Sequence, residues 1–66
     1  MTVSAPGGLS IRDVPIGAKG TQVVGYLANG AKVEVTETQQ IGEDVWARIG
    51  KFEWCAIKYK GVNYLV

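Results

Sequence analysis

Histidine is absent from this 66-residue chain, and cysteine occurs once, at Cys55. Without histidine the chain lacks the commonest general base, the usual metal ligand, and the Ser-His and Cys-His nucleophile pairs. A single cysteine excludes an internal disulfide. Neither sign of charge dominates: seven basic and six acidic residues leave a net charge of +1. That balance points to no nucleic-acid partner. No apolar run approaches the roughly 18–20 residues of a membrane span, so no membrane partner is expected. The first eight residues lack the basic and apolar regions of a signal peptide. No segment carries a sustained 3.6-residue apolar stripe, so no helix is predicted. Glu37, Glu43 and Asp44 match neither a metal loop nor a catalytic carboxylate pair. No catalytic residue, metal or cofactor is therefore expected.

What remains is the vocabulary of a small β domain. Val, Ile, Tyr, Trp and Thr are plentiful, and nine glycines and two prolines punctuate short runs. A chain this short buries only about 60% of its unfolded surface, so one small core is expected. Residues 1–7 read as a flexible leader and residues 8–66 as the folded domain. Leu9-Ser10-Ile11-Arg12 alternates, with Leu9 and Ile11 inward. Asp13 to Gly25 holds Pro15, Gly17, Gly20 and Gly25 and reads as a long irregular loop, a common place for function. Tyr26 follows it. Ala28-Asn29-Gly30 is a turn, because Asn-Gly supplies positive φ angles. Lys32 to Glu37 is the cleanest strand, with Val33 and Val35 inward. Gln39 to Asp44 reads as a polar connection around Gly42. Lys60-Gly61 is a further turn, and Val62 to Val66 a last short strand.

The most informative pattern is a doubled Trp-x-x-Ile, at Trp46-Ala47-Arg48-Ile49 and Trp54-Cys55-Ala56-Ile57. Residues three apart on a strand point to opposite faces, so isoleucines in a core place both tryptophans outside it. Gly50-Lys51-Phe52 suits a three-residue hairpin loop between strands Val45 to Ile49 and Glu53 to Tyr59. That register sets Val45 against Ile57 and Ala47 against Cys55 on the core side. It sets Trp46 against Ala56 and Arg48 against Trp54 on the outer side. A guanidinium beside an exposed indole gains about 0.5–1 kcal/mol as a cation–π contact. A bland account stands beside this one: tryptophan is mostly buried on average, and Tyr26, Tyr59 and Tyr64 can serve packing alone. Arg12 and Asp13 read as a surface ion pair of little value, and Cys55 as a small core residue.

In order, the chain reads Leu9-Ser10-Ile11-Arg12, a glycine-rich loop, Gly30 to Val35, Trp46 to Ile49, then Trp54 to Tyr59. This ordered set resembles the bacterial SH3 family (SH3b, SH3 type 3) over Gly8 to Tyr59. Glu53 stands where the family usually has glycine, Ser10 where it has asparagine, and Lys60 to Val66 extends past the usual end. A second alignment makes Trp54 to Ile57 the Trp-x-x-Val strand and Tyr64-Leu65-Val66 the final one. The resemblance implies an all-β, small SH3-like barrel of five to seven short, mostly antiparallel strands with a long first loop. It implies a non-catalytic, monomeric module that binds a peptidoglycan stem peptide or cross-bridge and targets an attached hydrolase, amidase or endolysin. Its place is then extracellular or in the cell envelope, with the export signal elsewhere. The alternative is a peptide-interaction or structural module in an envelope or phage assembly. The candidate ligand-binding residues are Tyr26, Trp46, Arg48, Trp54 and Tyr59, with Trp46 the better anchor and Trp54 a strut braced by Arg48.

Overall fold

A computed structural model describes residues 1–15 and 21–66. Among them there is no helix and there are six strands. These are β1 Leu9–Arg12, β2 Val23–Leu27, β3 Glu37–Ile41, β4 Asp44–Gly50, β5 Glu53–Tyr59 and β6 Val62–Asn63. They form one sheet in the order β2-β1-β5-β4-β3, with β6 on β5, and every pairing is antiparallel. The result is the expected all-β, SH3-like barrel. The β1–β2 connection ends earlier than expected, because Gly25 and Tyr26 are already in β2; Gly17 and Gly20 lie outside the described residues.

Residues 1–7 are not a loose leader. They lie between two other segments and bond to both. Val3 N–H donates to Ala31 O and Gly30 N–H donates to Val3 O, each at 2.8 Å. On the other side Thr2 and Val66 exchange a pair of bonds at 2.8 and 2.9 Å, and Ser4 N–H donates to Tyr64 O. Val3 and Ala5 are thereby buried, at 2% and 3% exposure. The polar and glycine-rich composition hid this, because two apolar side chains in alternation are too short a pattern to read as a strand. The Asn29-Gly30 turn helps to receive the segment: Gly30 takes φ +87°, and Asn29 Oδ1 accepts from Ala5 N–H at 3.0 Å.

The core is built around small residues. Ala47 and Cys55 face each other across β4 and β5, and Val3, Ala5, Leu9 and Leu65 close over them. A small pair at the centre lets the sheet curl tightly, as the interior of a narrow barrel requires. Val33 and Val35 do pack against this core, so the alternation of that segment holds. It is not a continuous strand, however. It pairs at Lys32 with Thr2 and, further on, Thr36 N–H donates to Arg48 O. Regular ladder begins only at Glu37. β3 itself went unread because its residues are polar on both faces, as an exposed edge strand allows.

The β4–β5 hairpin keeps the expected register at its centre and changes it at both ends. Trp46 pairs Ala56, Ala47 pairs Cys55 and Arg48 pairs Trp54. Gly50 pairs Glu53, so the loop is two residues, Lys51-Phe52, with Phe52 at φ +57°. Val45 pairs Lys58 and not Ile57. The two isoleucines of the doubled motif, Ile49 and Ile57, fall at these register shifts, and both pack on the core. Bulges of this kind bend a strand and raise its twist, which wraps the hairpin around the barrel. The Ile57 carbonyl, released from the hairpin, accepts from Tyr64 and Leu65 N–H at 2.8 and 3.3 Å.

Val3 closes the barrel by burial as well as by hydrogen bonds. Val3→Ala is expected to cost about 2 kcal/mol, lowering the melting temperature by roughly 10 °C for a domain of this size. Val66→Ala, at an exposed neighbour, is the control and leaves the melting temperature nearly unchanged.

Candidate functional site

The outer face of the sheet is not an open aromatic wall. Trp46 and Trp54 do lie in a different cluster from Ala47 and Cys55, as their alternation requires. Yet Trp46 is only 3% exposed and Trp54 only 8%. Ile41, Tyr59 and Tyr64 cover them and, with Ala56, make a second small core. Trp46 meets Tyr59 edge-on, ring centroids 5.8 Å apart at 66°. Edge-to-face pairs add about 0.5–1.5 kcal/mol beyond area burial. A domain this small does better to cover two indoles than to expose them.

A concavity of about 240 Å³ opens beside this second core. Ser10 and Arg12 of β1 line it on one side, with Trp46 and Ala56 of the hairpin and the two tyrosines Tyr59 and Tyr64. Gly8, also in its lining, takes φ +86°, and a Cβ there would stand 3.0 Å from the Leu27 carbonyl oxygen. Glycine therefore lets β1 start close against the end of β2, and so fixes where Ser10 and Arg12 stand.

Of the five expected site residues, the concavity brings together Trp46 and Tyr59. Tyr26 lies one strand away, opposite Ser10 on the same face of the sheet, and is 76% exposed. Trp54 is packed below the surface opposite Arg12 and does not line the concavity. Arg48 stands across from Trp54, but its guanidinium turns to Glu37 Oε1 at 3.5 Å, and its Nε–H donates to Gly50 O at 3.2 Å. The expected cation–π pair with Trp54 is thus replaced by a half-exposed ion pair, which is worth little. The cation–π contacts among the described residues are Lys51 on Phe52 and Lys60 on Tyr59, at 5.6 and 5.5 Å.

Ser10, Arg12, Ala56 and Tyr64 were missed as site residues. The expected Arg12–Asp13 ion pair is absent among the described residues, and Asp13 Oδ1 accepts from the N–H groups of Val14 and Gln22 at 2.9 and 2.8 Å, tying the base of the β1–β2 connection. Arg12 is left facing the concavity. Alternation along β1 does place Ser10 and Arg12 together on the outer face, and that signal was available in the sequence. Tyr64 directly follows β6 and is held there by its N–H donating to Ile57 O at 2.8 Å, a contact that no local pattern carries.

Cys55 is fully buried within the first core, and burial pushes its thiol up to about 11 from the ordinary 9.0. The chain matches no family model, no curated protein and no solved structure.

A thiol raised in the folded state stabilises it below the unfolded value and loses that contribution as pH rises through the folded one. Cys55 is expected to resist a thiol-reactive probe in the native domain at pH 8 and to react fully in denaturant. Stability, followed by urea melts, is expected to decline between about pH 9 and 11, and Cys55→Ala to remove that part of the decline.

Proposed function

We propose that this domain is a non-catalytic cell-wall-binding module. It engages a peptidoglycan stem peptide or cross-bridge at the outer face and holds an attached hydrolase on its polymeric substrate. The observation that carries this reading is the concavity itself, with buried Trp46 supported by Tyr59 and with exposed Tyr26 on the same face. Its volume of about 240 Å³ is below the ~300–1,000 Å³ of a drug-sized site. It suits one end of a short peptide of small residues, with the rest of the ligand lying on the sheet surface toward Tyr26. The ordered resemblance to SH3b domains supports the same ligand class. Modest affinity suffices for such a module, because tethering makes each later wall contact intramolecular. The site of action on this reading is the cell wall, outside the cytoplasm.

A second reading rests on β2. Among the described residues it is an edge strand, and Val23, Val24 and Tyr26 on it are exposed. An open apolar edge can add an extended strand from a peptide or an assembly partner. An interaction module in an envelope or phage assembly would use that edge and leave the concavity empty.

Cosedimentation with purified peptidoglycan sacculi separates the two. The domain is expected in the pellet with walls of at least one cross-bridge type. Tyr26→Ala, at an exposed position, is expected to keep the melting temperature and to weaken retention roughly fivefold, about 1 kcal/mol. A domain that stays in the supernatant over walls of every cross-bridge type contradicts wall binding.

A further inference from the structure

The concavity is bordered by one charged donor without an acceptor, Arg12, and backed by a second, the sealed indole of Trp46. Arg12 has neither an ion pair nor a hydrogen-bond acceptor among the described residues. The indole Nε1–H of Trp46 is buried with no partner, alone in this among the buried side-chain polar atoms of the described residues. Both residues line the same hollow, and no acidic side chain does. A guanidinium fork left without a partner matches the two oxygens of a carboxylate.

We propose that the concavity is a carboxylate pocket, taking the free C-terminal carboxylate of a short peptide built of small residues. Arg12 pairs with the carboxylate, and the Trp46 ring forms the wall beside it. The rings of Tyr59 and Tyr64 give apolar contact to the last side chain, and the small volume excludes bulky residues there. A site that meets a ligand with committed polar groups rejects the analogue lacking their partner far more strongly than a purely apolar hollow does. This inference rests on the peptide-binding reading above and names the group that is recognised.

The test is an NMR titration of the isotope-labelled chain with N-acetyl-alanyl-alanine. The L,L and D,D forms are each used as the free acid and as the C-terminal amide, and acetate alone is a further arm. The acid of at least one form is expected to shift the indole N–H signal of Trp46, with the matched amide binding about tenfold more weakly or worse. Acetate is expected to bind far more weakly than that acid. Arg12→Gln is expected to lower affinity for the acid about tenfold and leave the amide unaffected, while Arg12→Lys, keeping charge without the fork, falls between. Equal binding of acid and amide overturns the proposal. So does an unmoved Trp46 indole signal, an Arg12→Gln variant that binds the acid normally, or no binding of either acid. The wall-binding reading stands or falls separately. Sacculus retention without acid-over-amide preference removes the carboxylate pocket alone. Acid-dependent peptide binding without sacculus retention keeps the pocket and removes the wall.

Discussion

The barrel depends on the antiparallel insertion of its first five residues. Without them, the segment around Gly30 to Val33 and the segment around Tyr64 to Val66 would each present unpaired backbone groups toward the other. With them, both rows are satisfied, and Val3 and Ala5 cap a core whose centre is only Ala47 and Cys55. A 66-residue chain buries too little surface to tolerate an open seam. An unsatisfied buried backbone group would cost about 1–3 kcal/mol, a large part of a small domain's margin. Closure at this seam also holds Tyr64, which packs on both clusters, and so links the core to the outer face.

The second constraint is the centre of the β4–β5 register. It sends Ala47 and Cys55 one way and Trp46, Ala56 and Trp54 the other, so the hairpin serves two cores at once. The outer one is small, aromatic and incompletely closed, and its opening is the concavity. Trp46 therefore acts as a fixed part of the pocket lining. A side chain already held by packing loses little freedom on binding, which favours affinity in a shallow site. In the proposed peptide-binding role, contact by an exposed side chain falls instead to Tyr26, and charge recognition to Arg12.

Much of this was legible in the residues. The alternation of Leu9 and Ile11, the Asn29-Gly30 turn, the central hairpin pairs and the burial of Cys55 all follow from local pattern and turn chemistry. What escaped were features set by distant partners. Residues 1–5 are drawn into the barrel because residues near 31 and 66 flank them, and Lys32 to Thr36 has no regular ladder for want of a continuous neighbour. β3 was hidden by its polar faces. Val45 missed Ile57, and the hairpin loop shortened, because bulges intervene. Alternation tells which way the tryptophans point but not what lies over them: Tyr59 comes from the end of β5 and Tyr64 from just past β6. Arg48 turns from Trp54 to Glu37, which the pairing of β3 with β4 sets directly across from it. Arg12 likewise makes no ion pair with its neighbour Asp13, whose Oδ1 is bonded to the backbone.

The seam is open to direct observation by amide hydrogen exchange. If residues 1–5 are integral to the barrel, the amides of Val3, Ser4 and Val66 open only when the domain unfolds. Their protection should then equal that of the β4–β5 ladder amides. Exchange of these three at free-peptide rates, with the ladder still protected, would contradict the closure on which this description of the fold rests.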